Sequence, residues 1–488
     1  MGWSNHSKDS REVTLNDNVS YIVVDLDGTL MSTDTLIESL FKLIKNQPIL
    51  ALQLPLWLLK GKAGFKIEVA KHISLDPSEL PYNSELLHYL RRERAKGRKL
   101  VLATAAHESI ALSISEHLGL FDRVLSTGDA SLNLAGKAKS KSIPAECRPF
   151  IYAGNSKIDL EVWQESAGAI VVGPNSLRKQ AEKIAPIIKW FEPEQTKWTA
   201  WNKALRVHQW TKNLLIFLPL ILAHRLSEAS LWLNAFFGFI AFSVIASSVY
   251  ILNDIVDLDS DRQHPEKRNR PIARGSISLP EGVIMAGALF VLGMGIAAWA
   301  NERLLFALLG YYILTTIYSF KLKKIPILDA FTLAGLYTWR ILSGGLVTET
   351  RLTFWLLAFS MFFFLSLAFA KRSTELKLMI SLNKKKASGR GYITEDLAMV
   401  NTLGVASGMA SVVIFAMYVN QPVIVQLYQS PRYLLAVAIV LLYWISRVWL
   451  LTDRGQMNSD PILFAVKDRS SYVLLLVIAL SLLASKLF

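Results

Sequence analysis

The stretch "ILNDIVDLDSDRQHPEKRNRP", residues 251–271, joins the end of an apolar run to a dense group of charges. Four aspartates fall within eight positions, and four lysines and arginines follow them. Asn253, Asp257 and Asp261 are spaced four residues apart, so a continuous helix would align them on one face, with Asp254 alongside. Because stacked carboxylates repel, this spacing favours bound Mg²⁺, which proteins hold with carboxylates and substrate phosphates. The alternative is a solvated acidic loop.

Apolar runs recur from residue 213 to the C-terminus, whereas residues 1 to about 200 have an ordinary soluble composition. Runs of this length and spacing predict an all-α membrane domain. The nine predicted spans are residues 213–223, 231–252, 281–300, 303–320, 327–347, 352–370, 400–419, 432–450 and 471–487.

The net charge of +14 follows the predicted topology. Four loops between these spans hold eighteen lysines and arginines, whereas the four opposite loops, counted together with the first residue of the span that follows each, hold four: Arg225, Arg303, Arg351 and Arg432. By the positive-inside rule, the basic loops and the N-terminal domain are cytoplasmic. The pattern predicts an integral inner (plasma) membrane protein with cytoplasmic active sites, and it argues against a nucleic-acid partner.

Residues 251–275, "ILNDIVDLDSDRQHPEKRNRPIARG", resemble the first aspartate-rich motif of the UbiA superfamily, nine-span transferases acting on lipid substrates. Three further stretches resemble decaprenyl-phosphate phosphoribosyltransferases within that superfamily. They are "LRVHQWTKNLLIFLPL" (205–220), "YSFKLKKIPILDAFTLAGLYTWRILSGG" (318–345) and "FAKRSTEL" (369–376). The resemblance implies that Asp254, Asp257 and Asp261 bind Mg²⁺ at the leaving diphosphate.

One stretch departs from the prenyltransferases of that superfamily, which carry a second aspartate-rich motif after the sixth span. Here "AKRSTELKL" places Lys371, Arg372 and Glu375 there, which favours direct cationic contacts to phosphate. The resemblance therefore implies transfer of 5-phosphoribosyl from phosphoribosyl diphosphate to polyprenyl phosphate. The alternative is transfer of a polyprenyl group from its diphosphate to an aromatic acceptor, as in quinone biosynthesis. A second alternative function, a lipid or phosphate transporter, would give the aspartates of the 253–261 stripe no chemical role.

The candidate substrate-binding residues are polar side chains in or beside these motifs. Lys321 and Lys323 either bind phosphate or anchor the inner end of a span, and the sequence favours neither interpretation over the other. Arg340 lies roughly thirteen residues into the fifth span, where a cation needs a cavity or a partner. The full set is Lys212, Asn253, Arg262, Lys267, Arg270, Tyr318, Lys321, Lys323, Arg340, Lys371 and Arg372.

The N-terminal half contains "YIVVDLDGTL", residues 21–30, a buried-strand pattern that ends in two aspartates and a glycine turn. It resembles the first motif of haloacid dehalogenase (HAD) phosphatases, as do three later stretches in family order. They are "LVLATA" (100–105), "GKAKS" (136–140) and "IYAGNSKIDLEVW" (151–163).

The HAD resemblance implies a role for each matching residue. Asp25 would be the nucleophile and Asp27 the general acid and base, while Thr104 would hydrogen-bond the phosphate. Either Lys139 or Lys137 would balance its charge. Asp25, Asp159 and Asn155 would bind Mg²⁺, although the family commonly has aspartate at the position of Asn155.

The sequence thus predicts a multidomain protein: an α/β, HAD-like Rossmannoid domain with a helical cap, followed by the nine-span UbiA-like bundle. The segment "PILALQLPLWLLKG", residues 48–61, is by default cap core and alternatively an interfacial helix on the bilayer. A fused phosphatase would remove the 5-phosphate from the lipid product at high effective concentration. The predicted parts are a flexible tail (1–20), the phosphatase domain (21–176, with its cap at about 36–95), a juxtamembrane connector (177–204) and the transferase domain (205–488).

Overall fold

A computed structural model describes residues 19–127, 134, 136–193, 196–383, 385, 390–457 and 461–487. Apart from its last two residues, the predicted tail lies outside this range. The chain divides into two compact units. The first unit consists of Met1–Lys203 and Asp261–Gly282, and the second of Ala204–Ser260 and Val283–Phe488.

The first unit is built on a six-stranded parallel sheet of order β3-β2-β1-β4-β5-β6, which confirms the predicted α/β domain. Its central strands are almost entirely apolar and buried, as expected of a sheet covered on both faces. The strand order reverses between β1 and β4, and such a switch point is where open α/β sheets bind ligands. The strands are β1 Tyr21–Val24, β2 Lys99–His107, β3 Arg123–Thr127, β4 Phe150–Gly154, β5 Gly168–Val172 and β6 Ile187–Phe191.

Helices fill the connections between these strands, and five of them lie between β1 and β2, where the cap was predicted. The Asp34 side chain caps the first helix by accepting hydrogen bonds from the N–H groups of Leu36 and Ile37, at 2.8 and 3.1 Å. The helices are α1 Thr35–Asn46, α2 Pro48–Ala51, α3 Leu54–Leu58, α4 Gly61–His72, α5 Ser84–Ala95, α6 Glu108–Leu118, α7 Lys137–Ser142, α8 Leu160–Trp163 and α9 Asn175–Ala181.

The sheet domain extends beyond the predicted boundary at residue 176. Strand β6 pairs with β5, with Phe191 opposite Val172, so much of the predicted connector belongs to the sheet. Trp190, which was assigned to that connector, donates its indole N–H to the Gly173 carbonyl at 2.8 Å. The boundary was misplaced because β6 is short and only half-buried, which weakens its apolar pattern.

Residues 261–282 also belong to the first unit, although the sequence assigned them to the membrane domain. The Arg262 guanidinium forms an ion pair with Glu38 on α1. Gly275 has a φ of +82°, and a Cβ added there would lie 2.8 Å from the Ser32 side chain. Glycine therefore allows this segment to approach the loop after β1 closely.

The second unit is helical throughout its described residues. Its helices, together with the elements that connect the two units, are α10 Lys197–Leu205, α11 Leu218–Leu222, α12 Ala229–Val256, α13 Leu258–Arg262, α14 Leu279–Ala300, α15 Glu302–Phe320, α16 Leu328–Val347, α17 Phe354–Ser381, α18 Leu397–Val419, α19 Pro422–Leu427, α20 Leu434–Asp453, α21 Pro461–Lys467 and α22 Arg469–Leu487.

Seven helices of the described chain are long and apolar enough to cross a membrane. The fifth predicted span forms the 20-residue helix α16, which is more polar. The first forms a 3₁₀ helix, Val207–Phe217, followed by the short α11. The count of nine spans therefore stays a prediction. The seven helices are Ala229–Val256, Leu279–Ala300, Glu302–Phe320, Phe354–Ser381, Thr394–Val419, Pro431–Asp453 and Arg469–Leu487.

Buried hydroxyl groups on α12 connect it to its neighbours in the second unit. The Ser243 hydroxyl accepts from the Asn213 amide at 3.0 Å, and the Ser247 hydroxyl donates to the Leu205 carbonyl at 2.7 Å. Small polar residues of this kind allow apolar helices to pack closely while their hydroxyls bond across the interface. These contacts fix α12, which leads into the acidic motif.

Candidate active sites

In the first unit, three predicted residues meet at the switch point of the sheet. Lys139 Nζ donates to Asp25 Oδ1 at 2.7 Å and lies 3.0 Å from the Tyr152 hydroxyl. That hydroxyl donates to Asp159 Oδ1 at 2.8 Å, so a continuous chain of contacts joins the two carboxylates. Of the two candidate lysines, Lys139 is the one that reaches Asp25. The backbone N–H of Lys137 instead donates to Glu161 at 2.9 Å.

The loop after β4 holds Asp159 rigidly. Its Oδ2 accepts three hydrogen bonds, from the Asn155 N–H at 3.0 Å and from the Ser156 N–H and hydroxyl at 2.9 and 2.8 Å. The Asn155 side chain accepts from the Thr29 hydroxyl at 3.1 Å. Gly28 has a φ of +75°, and a Cβ there would lie 2.1 Å from Asn155 Nδ2, so this turn requires glycine.

The remaining two predicted residues of this site have local partners. Asp27 Oδ1 accepts from the N–H of Thr35, the first residue of α1, at 2.8 Å. The Thr104 hydroxyl is buried within β2 and accepts from the Ala106 N–H at 3.0 Å. The pairing of β2 with β3 shifts register between Ala103 and His107, so the ladder is interrupted beside Thr104.

Burial changes the acidity of both aspartates that follow β1. It raises the pKa of Asp25 to about 6, although the positive charge of Lys139 opposes the shift. Burial, followed by the charge of Asp34, raises the pKa of Asp27 to about 7. A carboxyl group with a pKa near neutrality is suited to both giving and taking a proton.

Two carboxylates and an amide are the oxygen donors that this site offers to a metal. Such hard donors suit Mg²⁺, and a carboxylate oxygen that accepts a hydrogen bond retains capacity for a further contact. The side-chain oxygens of Asp25, Asp159 and Asn155 are therefore chemically suited to binding Mg²⁺. Within the described chain, no group of three His, Cys, Asp or Glu side chains is arranged to hold a metal.

In the second unit, the acidic motif does not form one helical stripe. Helix α12 ends at Val256, Asp257 caps it, and a separate helix begins at Leu258. Asp254 pairs with Arg206 and Asp257 with Lys323, each at 2.5 Å. The continuous helix predicted from the spacing was therefore wrong, which agrees with the repulsion expected between carboxylates stacked four residues apart.

The third aspartate of that motif lies in the first unit. Asp261 pairs with Arg270 at 2.5 Å, so two predicted site residues contact one another. Asp254 and Asp257 remain oxygen donors of the kind that Mg²⁺ prefers, but each is engaged by a basic side chain in this structure.

Arg340 is buried in the middle of α16 and is bound by neutral groups. It donates to Asn213 Oδ1 and the Tyr311 hydroxyl at 2.7 Å and to the Leu336 carbonyl at 2.6 Å. Its guanidinium lies 4.9 Å from the centre of the Tyr311 ring. Among the described residues, no carboxylate forms an ion pair with it. A buried cation balanced only by dipoles is suited to binding an anion.

Lys212 lies near this arginine, because both cations lie over the ring of Tyr337. The distances to the ring centre are 5.8 Å for Lys212 Nζ and 5.5 Å for the Arg340 guanidinium. Two of the predicted substrate-binding residues are therefore brought together on one aromatic ring.

A second buried arginine, Arg372, is surrounded by charge in the C-terminal half of α17. Its Nε lies 2.6 Å from the fully buried Asp329, and its Nη1 bonds to Glu375. Arg390 adds contacts to Glu375 at 3.2 Å and to the Tyr318 hydroxyl at 3.4 Å. Arg372 is only 1% exposed, and its Nη2 has no hydrogen-bond partner among the described residues.

The other predicted substrate-binding residues are less enclosed. Lys321 is exposed at the end of α15, and the side chains of Asn253 and Lys371 are half-buried. Lys267, like Arg262 and Arg270, lies in the first unit.

Sequence reasoning missed several residues that complete these sites. Tyr152 lies in an apolar strand, where its hydroxyl gives no distinctive pattern. Arg390 reaches Glu375 only through the folding of a loop. Arg206 was quoted within a matching stretch but not selected, and its φ of +50° turns it toward Asp254. The missed residues are Tyr152, Ser156, Arg206, Tyr311, Arg390 and Tyr392, the last of which donates its hydroxyl to Asp329 Oδ1 at 2.6 Å.

Comparison with known proteins gives a family match and several relatives, one of which is similar over most of this chain. The model of the UbiA prenyltransferase family matches residues 214–481. An uncharacterized protein of Sinorhizobium fredii, y4nM, is 37% identical over 92% of this chain and 88% of its own length. Nodulation protein NoeC of Azorhizobium caulinodans is 38% identical over 57% of this chain and 91% of its own length. A decaprenyl-phosphate phosphoribosyltransferase of Mycolicibacterium smegmatis is 32% identical over 44% of this chain and 69% of its own length.

Proposed function

Because the chain belongs to the UbiA prenyltransferase family, we propose that its second unit transfers 5-phosphoribosyl from phosphoribosyl diphosphate to polyprenyl phosphate. The chain is a membrane transferase with phosphoribosyltransferase homologues over its C-terminal half. The similarity to the Mycolicibacterium enzyme supports the phosphoribosyl branch. Location in the inner (plasma) membrane with cytoplasmic sites is part of the proposal and rests on the distribution of basic residues.

The observation that carries the choice of donor is the environment of Arg372. In the prenyltransferases that this chain resembles, a second aspartate-rich motif is expected at this place. Here Asp329 and Glu375 are already ion-paired with arginines. The Nη2 of Arg372, which has no hydrogen-bond partner in the described part of the chain, is suited to a phosphate oxygen. A donor that carries a 5-phosphate besides its diphosphate has more need of such cationic contacts than a prenyl diphosphate has.

The remaining groups of the second unit divide between donor and acceptor. Arg340 and Lys212, which share the Tyr337 ring, would bind the phosphate of the polyprenyl acceptor. Asp254 and Asp257 would hold Mg²⁺ after Arg206 and Lys323 are displaced toward phosphate. Bound there, the ion would stabilise negative charge on the leaving diphosphate. The chain needs no nucleophile of its own, because the acceptor phosphate attacks the ribosyl carbon.

The first unit, in this proposal, removes the 5-phosphate from the lipid product. Asp25 attacks phosphorus, while Asp27 gives a proton to the departing sugar oxygen and then takes one from water. Lys139, 2.7 Å from Asp25, would neutralise charge on the phosphoryl group. The product would be a polyprenyl phosphoribose without its 5-phosphate. The full-length similarity to y4nM supports a fixed association of both activities, since that match extends over both units.

A second candidate is transfer of a polyprenyl group to an aromatic acceptor, which the prenyltransferase family match favours. One experiment separates the two. Purified full-length protein is given Mg²⁺ with labelled phosphoribosyl diphosphate and polyprenyl phosphate, or with labelled polyprenyl diphosphate and 4-hydroxybenzoate. Ribosylated lipid in the first mixture supports the proposal. Prenylated aromatic product in the second mixture alone would refute it.

A further inference from the structure

A short segment of the first unit, residues 48–59, presents large apolar side chains outward. Ile49 is 83% exposed, Leu52 78% and Leu59 84%, and Leu56 and Leu58 are also more than half exposed. Isolated exposed leucines are common on soluble proteins, but a run of five within eleven residues forms a patch. Such a patch indicates a surface that another apolar body covers.

The opposite side of the same segment accounts for its place in the fold. Trp57 is buried, and Leu50 and Leu54 pack against the core of the first unit. Trp57 also stacks on His72 of α4, with ring centres 5.2 Å apart. Packing against the core accounts for the apolar residues of this inner face. It does not account for those of the outer face, Ile49, Leu52 and Leu59.

The charges around the patch are mostly positive, and one of the lysines, Lys60, pairs with Glu68 on α4 at 3.0 Å. Residues 39–67 contain five lysines and no aspartate or glutamate: Lys42, Lys45, Lys60, Lys62 and Lys66. Basic residues that flank an apolar face are typical of segments lying in the interface of a membrane with anionic lipids. Each lysine near such a surface adds to the electrostatic attraction. A second copy of the chain would bring its own five lysines, and like charges would oppose that pairing.

We propose that residues 48–59 lie in the interface of an anionic phospholipid bilayer, with the side chains of Ile49, Leu52 and Leu59 among the lipids. The first unit is covalently tethered to a bilayer, because the described part of the same chain contains seven helices able to span one. Covalent attachment makes this second contact effectively intramolecular. In this proposal the two short helices of the segment combine both sequence interpretations, because their inner face serves as cap core and their outer face lies in the membrane interface.

The inference also deepens the proposed function, on which this step rests. A 5-phosphate on a polyprenyl lipid stays at the membrane surface. A phosphatase domain that lies on the bilayer through its cap would meet that substrate there, whereas it would gain nothing for a soluble phosphomonoester. The patch therefore favours lipid-linked substrates.

The test uses full-length protein reconstituted in vesicles that contain anionic phospholipid and nitroxide-labelled lipid. Cys147 is buried and is first replaced by serine, and single cysteines are then introduced by Leu52→Cys, Leu59→Cys or, as control, Leu112→Cys on α6. Leu112 is also an exposed leucine of the first unit. With a fluorescent label at each position, we expect nitroxide lipids to quench positions 52 and 59 at least threefold more strongly than position 112.

Two results would overturn the proposal. One is equal quenching at all three positions. The other is shielding of positions 52 and 59 that rises with protein density and occurs without lipid quenching, which would identify a second copy as the occupant.

A kinetic measurement tests the substrate preference. The double variant Leu52→Gln, Leu59→Gln is expected to raise KM at least fivefold for a lipid-linked phosphomonoester, with kcat/KM unchanged for p-nitrophenyl phosphate. Equal loss on both substrates would overturn the preference. If the wild-type protein hydrolyses neither substrate, the phosphatase proposal fails, while the quenching experiment still decides the membrane contact.

Discussion

Arg262 and Glu38, 224 positions apart in the chain, form a buried bidentate ion pair. The two contacts measure 3.1 and 2.7 Å, and Arg262 also donates to the Ala273 carbonyl at 3.0 Å. Glu38 belongs to α1, whose first residue, Thr35, holds Asp27 through its N–H. The segment that follows the acidic motif is thereby attached to the helix that positions a candidate acid of the phosphatase site.

Replacing Arg262 by alanine should destabilise the first unit strongly. Loss of one partner leaves Glu38 buried without its counter-charge, which costs roughly 3–5 kcal/mol. The measurement is unfolding in urea, followed by tryptophan fluorescence of the full-length protein in detergent. Arg303→Ala is the matched control, because the Arg303–Glu349 pair is exposed and should contribute about 1 kcal/mol or less. Equal effects of the two variants would contradict this interpretation, and the charge reversal Glu38→Arg with Arg262→Glu should recover part of the loss.

Tyr152→Phe should slow the phosphatase reaction without unfolding the domain. The variant removes the hydroxyl that joins Lys139 to Asp159. Hydrogen bonds to charged groups contribute about 1.5–3 kcal/mol, so kcat should fall roughly 10- to 100-fold. Turnover of p-nitrophenyl phosphate measures the effect, and Tyr21→Phe in the neighbouring strand serves as control. An unchanged kcat would remove Tyr152 from the site.

Asn155→Asp should lower the Mg²⁺ concentration that gives half-maximal phosphatase activity. The substitution keeps the acceptor for the Thr29 hydroxyl and adds a negative charge to a donor set that now contains an amide. Asn155→Ala should raise that concentration. A Mg²⁺ titration of each variant measures the shift, and the same dependence in all three proteins would show that this side chain is not a ligand.

Arg340→Gln should weaken the binding of polyprenyl phosphate while leaving hydrolysis of p-nitrophenyl phosphate intact. Glutamine retains hydrogen-bond donors but removes the buried positive charge that no described carboxylate balances. A charge-assisted contact to phosphate is worth about 1.5–3 kcal/mol, so KM for polyprenyl phosphate should rise at least tenfold. Arg303→Ala, which changes an exposed arginine, is the control. A wild-type KM in the Arg340 variant would exclude this arginine from the acceptor site.

The sequence predicted the residues that stand at the ends of strands. Asp25 and Asn155 follow apolar strands directly, Asp159 lies in the short turn after Asn155, and parallel strands bring their carboxyl ends to one edge of the sheet. The choice of Lys139 over Lys137 depended on the orientation of α7, which the sequence alone left open. Likewise, apolar length predicted the helices of the second unit.

Contacts between distant segments were beyond prediction. No local pattern links Arg262 to Glu38, and the interpretation of Arg262 as a substrate ligand relied on its nearness in sequence to the acidic motif. The helix breaks at Asp257 because neighbouring carboxylates repel and because Asp257 pairs with Lys323. A prediction based on the helical period alone takes neither interaction into account. Arg390 was missed because it reaches Asp329 and Glu375, the carboxylates that pair with Arg372, only in the folded chain.

The most direct test of the two-step account is the mass of the lipid made from phosphoribosyl diphosphate and polyprenyl phosphate by the wild-type, Asp25→Asn and Asp257→Asn proteins. We predict polyprenyl phosphoribose from the wild type, the same lipid with its 5-phosphate retained from Asp25→Asn, and no ribosylated lipid from Asp257→Asn. An Asp25→Asn product identical to that of the wild type would contradict the account, as would the absence of ribosylated lipid from all three proteins.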